Sequence, residues 1–440
     1  MGHRASALLK PGVAPREFWA WASLDFANSG YTTVVLTAVF NAYFVATVMQ
    51  GAPHATLVWT LVLAISYGLV MLSAPILGVY ADRRAKKKSV LIITTIGCVV
   101  STALLASVGP GMMVWAGFLL VISNLCFATH QDMSAAFLPE LAQDEHLGRI
   151  SGYGWAWGYI GGLTALGLAL AWVIWAQAHG HDAQGVVGGT MLITAGLFGL
   201  SAWWALRVLR ERGAPDTASP QRGADQWWDL SWGRLIATWQ AAQAQTDLRR
   251  FLVCVVVYHA GVQTVIALAA VYAQEVMGFS MSQTITLILV VNITAAVGAW
   301  AFGFFQDRVG HRRSLIAALI FWLVMVVVAW QATTPLLFWV AAHFAGLAMG
   351  ASQSGARAAV AYLARPGREA ETFGLWGVAV NLSAILGPMT YGWVTWITNN
   401  AHRVAMLVTG GFFLIGLLLL LRVDFDRGHR VSRPSLSTAG

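Results

Sequence analysis

Three charged side chains lie inside long apolar runs of this 440-residue sequence: Asp25, Asp132 and Arg357. A charge in hydrocarbon is costly, so it marks a solute pathway or a partner of opposite sign. Asp25 heads a polar series with Asn28, Ser29 and Thr32, at spacing i, i+3, i+4 and i+7, which falls on one face of a helix. Such a stripe can wall a polar cavity. It can equally act as glue between membrane helices, a role that small and polar residues suit, with Gly30 beside them. Polar residues gather in three further runs: Asn124, His130 and Gln131 beside Asp132; Tyr258, His259 and Gln263; His343 and Gln353 leading to Arg357. One polar face on each of four helices is what a central solute cavity needs. Asp25, Asp132 or a histidine can carry a coupling proton, because burial readily changes the proton affinity of carboxylates and imidazoles. Asp132 and Arg357 fall near the same end of their runs, and their opposite signs suit a gate pair; Asp25 is an equally good partner for Arg357.

The elements that must position these residues are membrane helices. The chain is 58% hydrophobic and 10% charged, where a soluble globular protein carries about 25% charged residues. The 21 Trp residues fit the same class, since Trp favours the membrane interface. Twelve apolar runs are long enough to span a bilayer: 18–49, 57–80, 89–108, 111–138, 151–177, 187–209, 251–274, 282–305, 314–331, 335–363, 372–397 and 404–422. A polar linker over 210–250 separates six runs (1–209) from six (251–440), and its later part, from Asp229 to Arg250, has the apolar spacing of an amphipathic surface helix. Of the 27 Lys and Arg, all but Arg357 and Arg403 fall on one side of the membrane in this arrangement. That asymmetry predicts cytoplasmic termini, and residence in a bacterial inner membrane is the expectation. It also accounts for the formal charge of +8 as a topology signal and an attraction to lipid headgroups, with no nucleic-acid partner. Residues 1–16 lack the pattern of a cleavable signal peptide.

Other chemistries find little support. The three cysteines lie in apolar runs, without disulfide or zinc spacing. Cys126 and His130 share a helix face and Cys254 lies near His259, which leaves Cu(I) transport as an alternative. No Gly-x-x-x-x-Gly-Lys phosphate loop occurs, and no catalytic triad stands out, so an enzyme is not expected. No cofactor and no resident metal are expected either. A non-transporting receptor or scaffold is the rival class.

One loop is present twice. Gly78–Lys88 and Gly303–Arg313 both lie between apolar runs, and in each a glycine leads an Asp-Arg pair by four residues: Gly78 with Asp82 and Arg83, Gly303 with Asp307 and Arg308. The second copy continues with Gly310 where the first has Ala85. Twelve helices in two halves joined to this repeated motif resemble the major facilitator superfamily. The stretches Asp25–Tyr31, Ser151–Gly162, Gln353–Arg357 and Glu369–Gly374 are similar to its vacuole-effluxer-like branch, whose eukaryotic members are associated with amino-acid export from vacuoles after autophagy.

The resemblance implies an all-α fold of two pseudo-symmetric six-helix halves, with helices one, four, seven and ten around the cavity. It places Asp82 near the start of helix eleven, at Thr372–Gly374, and Asp307 near the start of helix five, at Ser151–Gly154. A carboxylate there would bind free helix N–H groups and link the halves on the cytoplasmic side, favouring the outward-open state. The Lys86–Lys88 run reads as an orientation signal. The expected function is secondary active transport, by a monomer, of a small polar or amphipathic solute such as an amino acid, in the export direction and coupled to protons.

Overall fold

A backbone that crosses lipid must satisfy its polar groups internally, which leaves a chain of this composition one economical solution, the helix. The structure, a computed structural model, describes residues 7–52, 54–213 and 245–433. Twelve helices in it are long and apolar enough to span a membrane. They are α1 (Pro15–Val48), α2 (Ala55–Arg84), α3 (Lys87–Leu104), α4 (Met113–Ala135), α5 (Leu147–Ala178) and α6 (Ala183–Val208) in the first half. In the second half they are α7 (Thr246–Glu275), α8 (Met281–Val309), α9 (His311–Gln331), α10 (Pro335–Leu363), α11 (Glu369–Ile397) and α12 (His402–Leu420). A short α13 (Phe425–Ser432) follows. All twelve predicted runs are present. The amphipathic helix expected in the linker lies mostly outside the described residues, and α7 takes up its last turn from Thr246.

The halves meet through two equivalent contacts: α2 of the first packs on α11 of the second, and α8 of the second on α5 of the first. The faces away from these contacts carry Ile93, Val114, Leu200 and Trp396, all more than two-thirds exposed, which suits a surface bathed in lipid. Without a hydrophobic force between helices in lipid, close packing depends on small residues. Gly350 of α10 lies so near the carbonyl of Ala295 in α8 that a Cβ would overlap it.

Both copies of the repeated loop end their helix on a left-handed residue, Ala85 at φ 48° and Gly310 at φ 87°. The alanine therefore occupies a conformation that costs an L-residue about 1–2 kcal/mol. The first copy keeps the positive φ without the glycine, but the turns differ: Ala85 is left-handed helical at ψ 54°, whereas Gly310 is extended at ψ 163°. α1 is wound more loosely than an α-helix over Thr32–Ala38 and Phe44–Val48, where it forms π-helical turns. The first of these lies beside the cavity described below; such turns are frequent at functional sites.

Candidate functional site

A cavity of about 410 Å³ lies between the halves, within the range of about 300–1,000 Å³ usual for small-molecule sites. Its polar wall comes from α1 (Asp25, Asn28, Ser29, Thr32), α4 (Asn124, Gln131, Asp132), α7 (His259, Gln263), α10 (Gln353) and α11 (Asn381). The apolar wall includes Phe127, Trp155, Trp322, Trp376 and Phe338. The stripe on α1 therefore faces the cavity, with Asp25 also taking part in helix packing, since Gly158 of α5 has no room for a side chain beside it.

Three predicted cavity residues are elsewhere. His130 is fully buried behind the wall: its Nδ1 meets Asn28 Oδ1 at 2.8 Å and its ring packs on Phe198. It shares α4 with Gln131 and Asp132 but points one step around the helix, toward α6. Tyr258 precedes His259 on α7 and is turned away from the cavity, against Gly416 of α12. His343 is exposed, with its Nδ1 bonded to the Trp339 carbonyl at 2.7 Å one turn back in its own helix. Nor do Cys126 and His130 gather further ligands. Cys126 lies against Gly97, and among the described residues no three His, Cys, Asp or Glu side chains cluster as a metal site.

Of the two partners open to Arg357, Asp132 is not the one it meets. The Arg357 guanidinium instead reaches across the halves to Asp25, with Nη1 donating to Oδ2 and Oδ1 at 2.7 and 2.8 Å. Its Nε donates to Ser151 Oγ at 3.0 Å and its Nη2 to the Ser151 carbonyl at 2.9 Å. Trp21 and Trp155 cover the guanidinium, with centroids at 4.8 and 5.5 Å. Arg357 is 2% exposed and Asp25 is 7%. Gly154 makes this possible, because a side chain there would collide with both partners. Helix geometry decides the choice of partner: α10 packs on α5, and α1 runs along the same α5, so Asp25 and Arg357 converge on it. Asp132, on the other side of the cavity, lies against the bare Cα of Gly377 in α11. Its Oδ2 is buried without a hydrogen-bond partner among the described residues.

Beyond this lock, on the face that carries the basic loops, the repeated aspartates bind helix starts. Asp82 accepts the N–H groups of Ala370 and Glu371 at 3.0 and 2.7 Å. Asp307 accepts the N–H of Arg149 at 3.2 Å and its Nε at 2.6 Å. The contacts fall in the first turns of α11 and α5, a few residues before the glycine-bearing stretches anticipated for them, because both helices begin earlier than their apolar runs. Each glycine of the motif has its own part. A Cβ on Gly78 would overlap the Ala370 carbonyl, and one on Gly303 would crowd the backbone at Gly148 and Arg149. Four residues, about one helical turn, then bring each aspartate to the next N–H groups along.

Lys87 departs from the role read for its run. Its ammonium is 1% exposed and holds Glu140 at 2.6 Å, Glu369 at 3.1 Å and Asp82 at 3.7 Å. Glu369 belongs to α11, so this buried cation also joins the halves. Glu211 accepts the N–H groups of Lys87 and Lys88 at 2.6 and 3.2 Å, and Arg212 ties the same segment to Glu17. Ser151, Trp21, Lys87, Glu140 and Glu369 are thus site residues that sequence reasoning did not assign. The stretches from Ser151 and from Glu369 carried a signal in their family likeness. Lys87 carried none that separated it from Lys86 and Lys88.

Comparisons with known proteins agree with this architecture. The family described as "Vacuole effluxer Atg22 like" matches residues 45–432. An uncharacterized MFS-type transporter of Bacillus subtilis, YxiO, is 24% identical over 94% of this chain and 96% of its own. Autophagy-related protein 22 of Yarrowia lipolytica is 23% identical over 71% of this chain, which spans 56% of that longer protein. Among solved structures, the human organic anion transporter MFSD10 superposes with TM-score 0.68 at 17% identity, over 92% of this chain and 99% of that one. An outward-facing bacterial homologue of the iron transporter ferroportin gives 0.70 at 13%, over 94% and 99%. At these identities the structures speak for the fold. The chain is an integral membrane protein of the major facilitator superfamily and belongs to the Atg22-like vacuole-effluxer family of transporters.

Proposed function

We infer that the protein is a secondary active transporter that exports a small polar or amphipathic solute, an amino acid or a related metabolite, in exchange for protons. The observation that carries the reading is a polar cavity at the junction of two halves whose contacts on one face include carboxylates on helix starts and buried ion pairs, a kind that can part. Alternating access requires that combination, with solute held near the midplane while the halves rock about it. The basic face would be cytoplasmic by the distribution of Lys and Arg. The closed latches at Asp82, Asp307, Lys87 and Arg357 would then belong to the outward-open state. Asp25, Asn28, Ser29, Thr32, Gln131, His259, Gln263 and Gln353 would contact the cargo. The effluxer description of the family supports the direction, and the fungal relatives' association with autophagy supports a metabolite as cargo.

The test is flux in liposomes containing the purified full-length protein, for a panel of amino acids and amines, with and without an imposed pH gradient. Saturable uptake that a gradient accelerates is expected. Absence of saturable flux for any solute, with a folded and oriented protein, would overturn the transporter reading. Flux indifferent to the gradient would remove the proton and leave the rest.

A further inference from the structure

The cavity carries a charge imbalance that the lock does not explain. Two carboxylates line it, Asp25 and Asp132, and among the described residues no Lys or Arg does. Asp25 is matched by Arg357. Asp132 is 4% exposed, and its Oδ2 has no hydrogen-bond partner among the described residues. An unmatched carboxylate at this depth needs a cation or a proton, because burial of an isolated charge is strongly unfavourable.

The surroundings are built for a cation larger than a proton. Asp132 belongs to α4 of one half, and Gly377, whose missing side chain makes room for the carboxylate, belongs to α11 of the other. The preceding residue on α11 is Trp376, which also lines the cavity, as does Phe127 one helix turn and a residue before Asp132. Aromatic faces beside a carboxylate attract ammonium groups, and more strongly when water is excluded. Other polar groups of the cavity are also left unmatched among the described residues. The Nε1–H of Trp376, the Nε1–H of Trp155 over Arg357 and the Asn28 amide are donors without acceptors, His259 Nδ1 is unpartnered, and Asn124 Oδ1 is an acceptor without a donor. A solute with one protonated amine and a carbonyl or hydroxyl satisfies this set. One with a strong anionic end finds no Lys or Arg among the described lining residues.

We propose that Asp132 is the anchor for the protonated amine of the transported solute, with the aromatic residues beside it forming its wall, so that the cavity selects amines and amino-acid amides over neutral or anionic analogues. This narrows the transport reading above from amino acids to amine-bearing metabolites without a free carboxylate, and rests on it for the word transported. The binding preference itself stands on the geometry of Asp132.

Binding to purified full-length protein in detergent separates the two. The probes are matched pairs: phenylethylamine against 2-phenylethanol, and leucinamide against N-acetyl-leucinamide, with phenylacetate as the anionic control. The amines are expected to bind at least on the order of thirtyfold tighter than their neutral partners, the lower end of the loss on leaving a buried charge unpaired. Asp132→Asn should erase that difference, and Asp132→Glu should keep its direction. Equal binding of amine and neutral analogue by the wild-type protein, or tighter binding of phenylacetate, would overturn the proposal whether or not any variant folds. An amine preference that survives Asp132→Asn in a folded protein would overturn it as well. If the pairs bind alike and Asp132→Asn changes only proton uptake, the carboxylate serves a proton and the amine site is refuted. Amine-selective binding without flux in liposomes would sink the transport reading and leave this one. Flux of solutes without amine preference would do the reverse.

Discussion

Asp25→Asn is the substitution that most directly questions the lock. The asparagine keeps the shape and one acceptor, but it leaves Arg357 as a buried cation with no counter-ion, held only by Ser151 and two indole faces. Removing one partner of a buried pair costs about 3–5 kcal/mol. The partners belong to different halves, so the penalty falls on the state in which the basic face is closed and is relieved when the halves part and water reaches Arg357. At about 1.4 kcal/mol per factor of ten, the ratio of closed to open molecules should fall on the order of 10²- to 4 × 10³-fold. Spin labels at Arg84 and Arg368, both exposed and flanking the α2–α11 contact, report that change as a distance distribution by double electron–electron resonance. The native cysteines at 98, 126 and 254 would be replaced first. Wild-type protein should give one short distance, and Asp25→Asn a second, longer population. Adding Arg357→Gln should restore much of the short distance, because removing both charges leaves none orphaned. A folded Asp25→Asn protein with an unchanged distance would refute the reasoning. So would a lower Tm with no opening, which would assign the cost to folding, and so would a double variant no more closed than the single one.

Three further outcomes follow from the same contacts. Lys87→Met should open the basic face in the spin-label assay and lower the Tm, since Glu140, Glu369 and Asp82 lose their shared cation at a cost of about 3–5 kcal/mol; the exposed Lys86→Met should stay within about 0.5 kcal/mol. Gly78→Ala should force α2 from α11 and enlarge the label distance, whereas Gly350→Ala, whose collision lies inside one half, should cost about 1–3 kcal/mol of stability, seen as a lower Tm, without opening the face. His343→Ala, at an exposed site bonded only to its own helix, should leave flux and amine binding unchanged, as measured in the liposome and binding assays.

The basic loop shows how far local sequence reaches. A run of apolar residues becomes a helix whatever surrounds it, and a glycine four residues before an aspartate puts both on one face. The twelve spans, the two halves and the approach of Asp82 and Asp307 to helix starts were therefore legible from spacing and family likeness. The side of α1 that faces the cavity was legible too, because Asp25, Asn28, Ser29 and Thr32 share a phase.

What spacing does not carry is which face meets which neighbour. Arg357 and Asp25 are 332 residues apart, and nothing near either one distinguishes Asp25 from Asp132 as the partner. The packing of α1 and α10 on one side of α5 made that choice. His343 was grouped with a face two heptads away, over which an α-helix drifts by about 40° from a seven-residue repeat, and it ended outside the cavity. Three successive lysines look alike as a string, yet successive helix positions point about 100° apart, so Lys87 alone turned inward to meet carboxylates of α2, of α11 and of the segment after α4. By itself the sequence determined the helices, the duplication and the latch motif, since each depends on residues within a turn or two of one another. Tertiary structure alone decided how the buried charges are matched: Asp25 to Arg357, Lys87 to its three carboxylates, and Asp132 to no cation among the described residues. Charge pairing in a low-dielectric interior depends on distance in space, and only the packed helices set that distance.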